Sequence, residues 1–315
     1  MPNLISKIID PWYPSTAIGL ERGVASVVHV EKGRGNSCTV RRAATFNLSE
    51  SVVLPSFDEQ NIPNPAQLAS ILSELAASAG LMKQKRWSLS LPEATTRTLV
   101  LTIESQSQSS AEMQDVMRWK IERGFGASLE ELSISKEKLQ KDLQGRERYL
   151  AIATRRDVLA EYESVLASLG WRAGLILPRH VGESQWLVRV GGAGDSLLLS
   201  GTNEGFTAVI MRGRHPLIVR SVTCSDQDCE DEFYRLLLFY RDRRIGDGGD
   251  EASPLRRMMV VGEGLTKKRA TEIVNETTGD SLEPMDAEDL GLMLPSRDLS
   301  FDAIAAPAGL ATLSF

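Results

Sequence analysis

The feature of this sequence that most restricts its fold is a repeated order of strands and helices. Residues 17–30 and 194–211 each read as an apolar strand, a glycine-containing turn and a second apolar strand. A third strand follows each hairpin, at 39–48 and 217–222, and an amphipathic helix comes later in each half. Because strands alternate with helices in both halves, we predict an α/β chain built from two related lobes.

A separate module interrupts the first of these copies. Three strand-like segments and a helix beginning at Ser110 occupy residues 87–154. The chain then returns to a strand and helix pattern before the second hairpin. We therefore predict a first lobe at 1–86 and 155–193, an inserted subdomain at 87–154, and a second lobe at 194–315 whose C-terminal helix returns to the first lobe.

Composition excludes several classes of function. The net charge of −6 argues against nucleic acid as a partner, because a phosphate backbone requires a basic surface. No apolar stretch approaches the roughly 18 residues that a spanning helix needs. At the N-terminus, Leu4, Ile5 and Ile8 form a short amphipathic turn that could touch a partner or a membrane surface, but that we expect to pack on its own domain.

The cysteines and histidines suggest no metal centre. Cys38, Cys224 and Cys229 form no C-x-x-C pair, and the three histidines are scattered. We expect free thiols in a reducing compartment and no structural metal.

Two hairpins at matching places, with a later strand–Gly-x-Gly–helix, are typical of actin-like ATPases. In that fold, the backbone N–H groups of the hairpins bind the phosphates. Carboxylates at the hairpin turns hold Mg²⁺ or water. The late glycine pair, here Gly262 and Gly264, lets the backbone approach the adenosine. This layout predicts a nucleotide site shared by the three segments.

The order of further segments resembles the PilM family of type IV pilus assembly, which is related to the cell-division protein FtsA. The similar segments, which cover nearly the whole chain, are AIGLERGVASVVHVE, WSLSLP with RTLVLTI, EMQDVMRWKIERGF, YLAIATRRDVLAEYESVLASLGW, EFYRLLLFYRDRR, VVGEGL and APAGLATL. The resemblance implies an actin-like ATPase fold with an FtsA-like inserted subdomain. It also implies a cytoplasmic protein associated with the inner membrane through its partners.

The sequence departs from that family at both phosphate hairpins. The family's first hairpin reads Asp-x-Gly-Ser-Ser-Ser-Val-Lys, whereas Glu21 replaces the aspartate here, Val24 and Ala25 replace two serines, and the lysine is missing. In the second hairpin, Leu199 occupies the aspartate position, and leucine cannot hold a metal or orient a water. The residues that would still contact a nucleotide are Glu21, Gly23, Ser26, Gly201, Thr202, Gly262 and Gly264.

The chemistry that remains at these positions is poor. Hydrolysis of a phosphoanhydride needs a bound metal and an oriented water, and the loss of one well-placed group costs about 3–4 kcal/mol. We therefore predict no catalytic residue, little or no turnover, and weak or absent binding of ATP and Mg²⁺. Glu21 is open to two interpretations, as a metal-binding carboxylate or as a turn residue paired with a neighbouring cation.

The remaining function is recognition of a protein partner. The resemblance implies that the chain binds the cytoplasmic N-terminal segment of a membrane-anchored PilN-like protein, together with other platform or motor components and, in some assemblies, further copies of itself. Apolar residues of the inserted subdomain could line the groove for this peptide or form the subdomain's own core. They are Leu99, Leu101, Met117, Trp119 and Phe125.

Two alternatives stay open. One is an active actin-like ATPase or sugar-kinase-like phosphotransferase that uses Glu21 as its metal ligand. The other is the cytoplasmic domain of a type II secretion platform protein of similar fold, which we would expect to carry a transmembrane segment after residue 315.

Overall fold

Strand pairing begins at the first predicted hairpin, formed by β1 (Thr16–Glu21) and β2 (Val24–Lys32). The two strands are antiparallel, with Ile18 opposite Val27. The computed structural model describes residues 13–104, 110–142, 144–246, 254–296 and 299–315. The predicted amphipathic turn at residues 4–8 lies outside the described residues.

The remaining elements follow the predicted order, with β6, β13 and α4 in addition. The further strands are β3 (Cys38–Asn47), β4 (Arg86–Leu91), β5 (Arg97–Ile103), β6 (Leu132–Leu139), β7 (Glu147–Arg155), β8 (Arg172–Pro178), β9 (Asp195–Thr202), β10 (Gly205–Arg212), β11 (His215–Thr223), β12 (Leu255–Gly262) and β13 (Leu292–Met293). The helices are α1 (Pro65–Ser78), α2 (Ser110–Phe125), α3 (Arg156–Ser168), α4 (Arg179–Val190), α5 (Asp226–Gly246), α6 (Lys267–Thr278) and α7 (Phe301–Ala311).

The chain divides into two compact units. The first contains the chain up to Thr95, together with Ala160–Trp186 and Gly291–Phe315, and its six-stranded sheet has the order β13-β3-β2-β1-β4-β8. The second contains Thr96–Leu159 and Leu187–Leu290, with a four-stranded sheet β11-β10-β9-β12 and a three-stranded sheet β5-β7-β6. β4, which the sequence assigns to the inserted subdomain, pairs with β1 and β8 in the six-stranded sheet. The division into lobes stays a prediction.

In the first unit, α7 packs directly on β1 and β2 because small residues let the backbones approach. A Cβ atom on Gly19 would lie 2.8 Å from Cγ of Pro307 and 2.7 Å from Oγ of Ser26. On its other side α7 meets α4, where Nε1 of Trp186 donates a hydrogen bond of 2.8 Å to the carbonyl oxygen of Ala305. The alanine-rich sequence of α7 therefore serves close packing.

In the second unit, the core of the four-stranded sheet is formed by the predicted apolar stripe of α5. Phe233, Leu236, Leu237 and Tyr240 are all buried, as the i, i+3, i+4, i+7 spacing indicates. They join side chains of β9, β10 and β12 and the inner face of α6 in one hydrophobic cluster.

The strand β6 was not expected, since the sequence suggests only a charged segment at residues 130–148. It pairs antiparallel with β7 at the edge of the three-stranded sheet. Leu132 and Leu139 are buried at its two ends, whereas Lys136 and Lys138 are exposed. Charged residues are tolerated at a sheet edge, which explains why this strand lacks an apolar alternation.

The prediction of free thiols was wrong for two of the three cysteines. Cys224 follows β11, Cys229 lies in the first turns of α5, and their Cα atoms are 5.5 Å apart in a disulfide. This separation lies within the usual range for a disulfide, and the turn between the two elements creates it. Cys38 is a buried free cysteine.

Candidate functional site

The first hairpin turn is built on a glycine. Gly23 has a φ of 80°, a left-handed conformation that residues with a Cβ atom rarely adopt. Its carbonyl oxygen accepts a hydrogen bond of 2.8 Å from the N–H of Leu48, just after β3. The turn thus keeps the shape expected of a phosphate hairpin, with Glu21 as the last residue of β1.

Glu21 lies in a polar environment that already satisfies its carboxylate. Oε1 accepts a hydrogen bond of 3.1 Å from the N–H of Arg22, and Oε2 accepts one of 3.3 Å from the N–H of Glu93. Nη1 of Arg179 lies 3.5 Å from Oε2. Burial raises the pKa of the Glu21 carboxyl above its ordinary value, and Arg179 only partly opposes this shift.

Arg179 bridges two carboxylates. It is the first residue of α4, and its Nε donates a hydrogen bond of 2.7 Å to Oε1 of Glu183, one turn further along the same helix. Burial works against protonation of Arg179, but Glu183 and Glu21 outweigh it and raise the pKa of the guanidinium. Glu183 is fully buried, and no described residue donates a hydrogen bond to its Oε2.

A second ion pair adjoins the first. Nδ1 of His180 lies 2.8 Å from Oε1 of Glu93, and the His180 N–H donates to Oε2 of the same carboxylate at 3.3 Å. Burial lowers the pKa of His180, but the Glu93 carboxylate outweighs it, so the net shift is upward. We call Glu21, Glu93, Arg179, His180 and Glu183 the buried ion cluster. This cluster contains three carboxyl groups and two groups that can carry a positive charge. With His180 protonated, its net charge is zero when one of the three carboxyl groups is also protonated.

The space beside this cluster is small. A cavity of about 50 Å³ is lined by Glu21, Ser26, Ser90, Arg179 and Pro307, among others. Pockets for small molecules usually measure about 300–1,000 Å³, and one water takes up about 30 Å³ of liquid. The pocket beside the cluster is therefore much smaller than an ordinary pocket for a small molecule.

In the second hairpin, Gly201 and Thr202 both make contacts that stabilise the hairpin itself. A Cβ atom on Gly201 would overlap the carbonyl oxygen of Glu263, so this glycine lets β9 lie against the turn after β12. Oγ1 of Thr202 donates to the carbonyl oxygen of Gly205 at 3.3 Å and accepts from the N–H of Glu204. Leu199 is buried in the sheet core.

The turn after β12 depends on its two glycines. Gly262 and Gly264 have φ values of 86° and 91°, so both positions favour glycine whether or not a ligand approaches. The seven nucleotide-binding candidates thus lie in or next to three turns; the first of these turns belongs to the first unit and the other two belong to the second. Their contact with a nucleotide stays a prediction.

The carboxylate and the hydroxyl of the first hairpin are not free to hold a Mg²⁺-bound nucleotide. Among the described residues, no group of three or more His, Cys, Asp or Glu side chains is placed to hold a metal ion. The hairpin carboxylate that would bind the metal is paired with Arg179 instead. Ser26, the remaining hydroxyl of the hairpin, is 2% exposed.

The predicted groove residues differ in accessibility. Leu101, Met117 and Phe125 are buried between α2 and the three-stranded sheet, and Leu99 is half-buried. Trp119 is 55% exposed, with the guanidinium carbon of Arg123 5.0 Å from its ring centroid. The groove itself stays a prediction, and Trp119 is its one member with a largely accessible side chain.

Sequence reasoning missed four of the five residues of the buried ion cluster. Arg179, His180 and Glu183 lie on α4, a helix that the sequence analysis did not predict, and Glu93 lies in a short 3₁₀ turn (Glu93–Thr95). One signal was present in the sequence. Arg179 and Glu183 are four residues apart, the spacing at which opposite charges meet on a helix.

The fold of this chain is identified by its similarity to solved structures. No protein-family model and no curated protein matches the chain. Among solved structures, it aligns with a chain of the "PilM-PilN type IV pilus biogenesis complex" at a TM-score of 0.73 and 18% identity, covering 96% of this chain and 99% of that one. The chain has the actin-like ATPase fold of PilM. The predicted fold class and the resemblance to PilM are thereby confirmed.

Two other solved structures align with this PilM-like chain less closely. A Bacteroides thetaiotaomicron protein of actin-like ATPase fold and unknown function has a TM-score of 0.45 and 11% identity, over 98% of this chain and 99% of that one. The cytoplasmic domain of EpsL, an inner membrane component of the type II secretion system of Vibrio cholerae, has a TM-score of 0.47 and 14% identity, over 87% and 91%. Likeness at this level supports no argument about function.

No helix among the described residues combines the length and the apolar composition needed to cross a membrane.

Proposed function

We propose that this chain is a PilM-like scaffold of the inner-membrane platform of a type IV pilus, or of a related pilus or secretion machine. It binds the cytoplasmic N-terminal segment of a PilN-like membrane protein and hydrolyses little or no ATP. The observation that carries this proposal is the alignment over 96% of the chain with a component of a PilM–PilN complex. The order of the similar sequence segments supports it independently.

The state of the first hairpin supports the non-hydrolysing part of the proposal. Glu21 is held by two backbone N–H groups and by Arg179. Leu199 has no group that could orient a water at the second hairpin. Hydrolysis of a phosphoanhydride needs a bound metal and a positioned nucleophilic water, and these residues supply neither.

In this proposal the chain works in the cytoplasm and reaches the membrane through its partner. The inserted subdomain supplies the docking surface, with Trp119 as an aromatic anchor. Aromatic residues are enriched among interface hot spots because they bury a large area at a low cost in conformational entropy.

The experiment is a calorimetric titration of the full chain with a synthetic peptide. The peptide carries the N-terminal cytoplasmic segment of a PilN-like membrane protein from the same genome, and a peptide of the same composition in scrambled order is the control. We expect saturable binding of the native peptide alone. If neither peptide binds, or both bind equally, the proposed partner is wrong.

The enzymatic alternative is tested separately by phosphate release from ATP in the presence of Mg²⁺. We expect the wild-type chain to release no more phosphate than a Glu21→Gln variant. Faster release by the wild type would instead favour an active ATPase that uses Glu21 as a metal ligand.

A further inference from the structure

The buried ion cluster contains a cation at the place where an actin-like hairpin would direct its carboxylate toward a metal. We propose that the guanidinium of Arg179 takes the place of a divalent cation at the first hairpin, so that Glu21 is occupied by the protein's own arginine and Mg²⁺ is excluded. This inference deepens the non-hydrolysing part of the proposed function. It concerns metal binding alone, so it can fail while the partner proposal holds.

Both oxygens of the Glu21 carboxylate are already engaged within the protein. Oε1 of Glu21 accepts from the N–H of Arg22, and Oε2 faces both the N–H of Glu93 and the guanidinium of Arg179. Mg²⁺ requires oxygen ligands at about 2.0–2.1 Å in nearly octahedral geometry. Both oxygens of Glu21 already face donors, so a metal would have to displace them.

Arg179 is held in place beside Glu21 by its own helix. Its Nε is fixed by Glu183, which is itself fully buried. The helix that carries both residues is held against α7, where a Cβ atom on Gly182 would overlap the carbonyl oxygen of Ala306. The guanidinium is therefore anchored by its own helix, not by the hairpin alone.

The space beside Glu21 and Arg179 is small. Mg²⁺ usually keeps several of its waters when it binds a protein, and each water needs about 30 Å³. The cavity beside Glu21 and Arg179 measures about 50 Å³. The guanidinium of Arg179, which lines this pocket beside Glu21, takes up part of the space that a hydrated metal ion would need.

Without Arg179, the buried ion cluster would lose a positive charge that lies between two carboxylates. Glu183 keeps one carboxylate oxygen with no described hydrogen-bond donor, and Glu21 lies on the other side of the same guanidinium. Removal of the positive charge leaves two carboxylates facing one gap. Carboxylate oxygens are the ligands that hard divalent cations prefer, so the gap should attract such an ion.

The test uses Mn²⁺ as a paramagnetic probe at about pH 8, where carboxylates and divalent cations combine most readily. Free Mn²⁺ is measured by electron paramagnetic resonance during titration of the wild type, Arg179→Gln, Glu21→Gln and the Arg179→Gln/Glu21→Gln double variant. We expect one Mn²⁺ site in Arg179→Gln, bound at least tenfold more tightly than by the wild type. The double variant should lose this site.

Two results would overturn the inference. One is a stoichiometric Mn²⁺ site in the wild type that Glu21→Gln weakens tenfold or more. The other is a folded Arg179→Gln variant that gains no site. Should Arg179→Gln fail to fold, the comparison of the wild type with Glu21→Gln still decides, since equal and negligible Mn²⁺ binding by both supports exclusion of the metal.

Discussion

Gly309 of α7 lies so close to Gly182 of α4 that a Cβ atom at residue 309 would overlap the carbonyl oxygen of Gly182. The relation is reciprocal, because a Cβ atom at Gly182 would overlap the carbonyl oxygen of Ala306. Two helix backbones thus touch without any side chain between them. This crossing fixes α4, the helix that carries three of the five residues of the buried ion cluster.

We expect Gly309→Ala to destabilise the chain, because one methyl group must push two backbones apart. Overpacking of a well-packed core costs about 1–3 kcal/mol, and alanine's better helix propensity returns at most about 1 kcal/mol. The measurement is the free energy of unfolding in urea. Gly213→Ala is the control, since nothing lies within 4 Å of a Cβ atom there and only its φ of 58° opposes the change. If Gly309→Ala is as stable as the wild type, the close crossing is wrong.

Arg179→Gln should cost more stability than the loss of any exposed ion pair. Removing one partner of a buried ion pair leaves the other charge unpaired, at a cost of about 3–5 kcal/mol. Arg235→Gln is the matched control, because Arg235 pairs with Glu232 at 2.6 Å but its side chain is 67% exposed. Such exposed pairs contribute about 0–1 kcal/mol. Equal unfolding free energies for the two variants would show that the Arg179 pairs carry no net stabilisation.

The contrast between α5 and α4 shows which parts of the fold the sequence predicts. The buried face of α5 consists of apolar residues such as Phe233 and Leu237, so hydrophobic periodicity reveals the helix. The buried face of α4 includes Arg179, His180 and Glu183. A helix that buries charges does not show an apolar stripe, so the same method overlooks it.

The candidate site is predictable only in part for a related reason. Glu21 and Gly23 are visible in the sequence because a hairpin turn is a local structure. The partner of Glu21 is not visible in the sequence, because Arg179 lies far along the chain. It is placed beside Glu21 by β8, the sheet strand that precedes it. From the sequence, Glu21 could be either a metal ligand or a turn residue paired with a cation. Only the contact with Arg179, a residue from a distant segment, distinguishes these two interpretations.

The stability that His180 contributes should depend on pH. The Glu93 carboxylate raises the pKa of His180, with Arg179, Glu21 and Glu183 as the other charged groups of the cluster. A raised native pKa means that the contribution is fully present below the unfolded pKa of about 6.5 and is lost as the pH rises through the native value. The raised pKa of Glu21 acts in the same direction, from a lower starting pH.

We therefore expect His180→Asn to lower the unfolding free energy more at about pH 6 than at about pH 9. The measurement is urea unfolding of both proteins across this range. His215→Asn is the control, as its histidine lies in the second unit at the start of β11. A difference that grows toward high pH would contradict the assigned shift.

The Cys224–Cys229 disulfide predicts how many thiols react. In the protein purified without reductant, alkylation under denaturing conditions should label one cysteine, Cys38, and reduction beforehand should raise the count to three. Disulfides are rare in reducing compartments, so the result bears on the proposed cytoplasmic site of action. Labelling of three cysteines without reduction would show that the bond does not form in solution. If it forms, we expect Cys229→Ser to cost about 2 kcal/mol, the chain-entropy value for so short a loop.

Trp119 and Phe239 give a paired test of the docking surface, because their side chains are 55% and 56% exposed. Trp119 lies on α2 of the inserted segment, whereas Phe239 lies on α5. We expect Trp119→Ala to weaken binding of the PilN-like peptide tenfold or more, which corresponds to about 1.4 kcal/mol. Phe239→Ala should leave the affinity unchanged, and neither variant should alter the urea midpoint strongly because both rings are mostly in solvent.

Calorimetric titration measures both affinities. Equal losses in the two variants would point to nonspecific hydrophobic association, and a loss confined to Phe239→Ala would move the docking surface to α5.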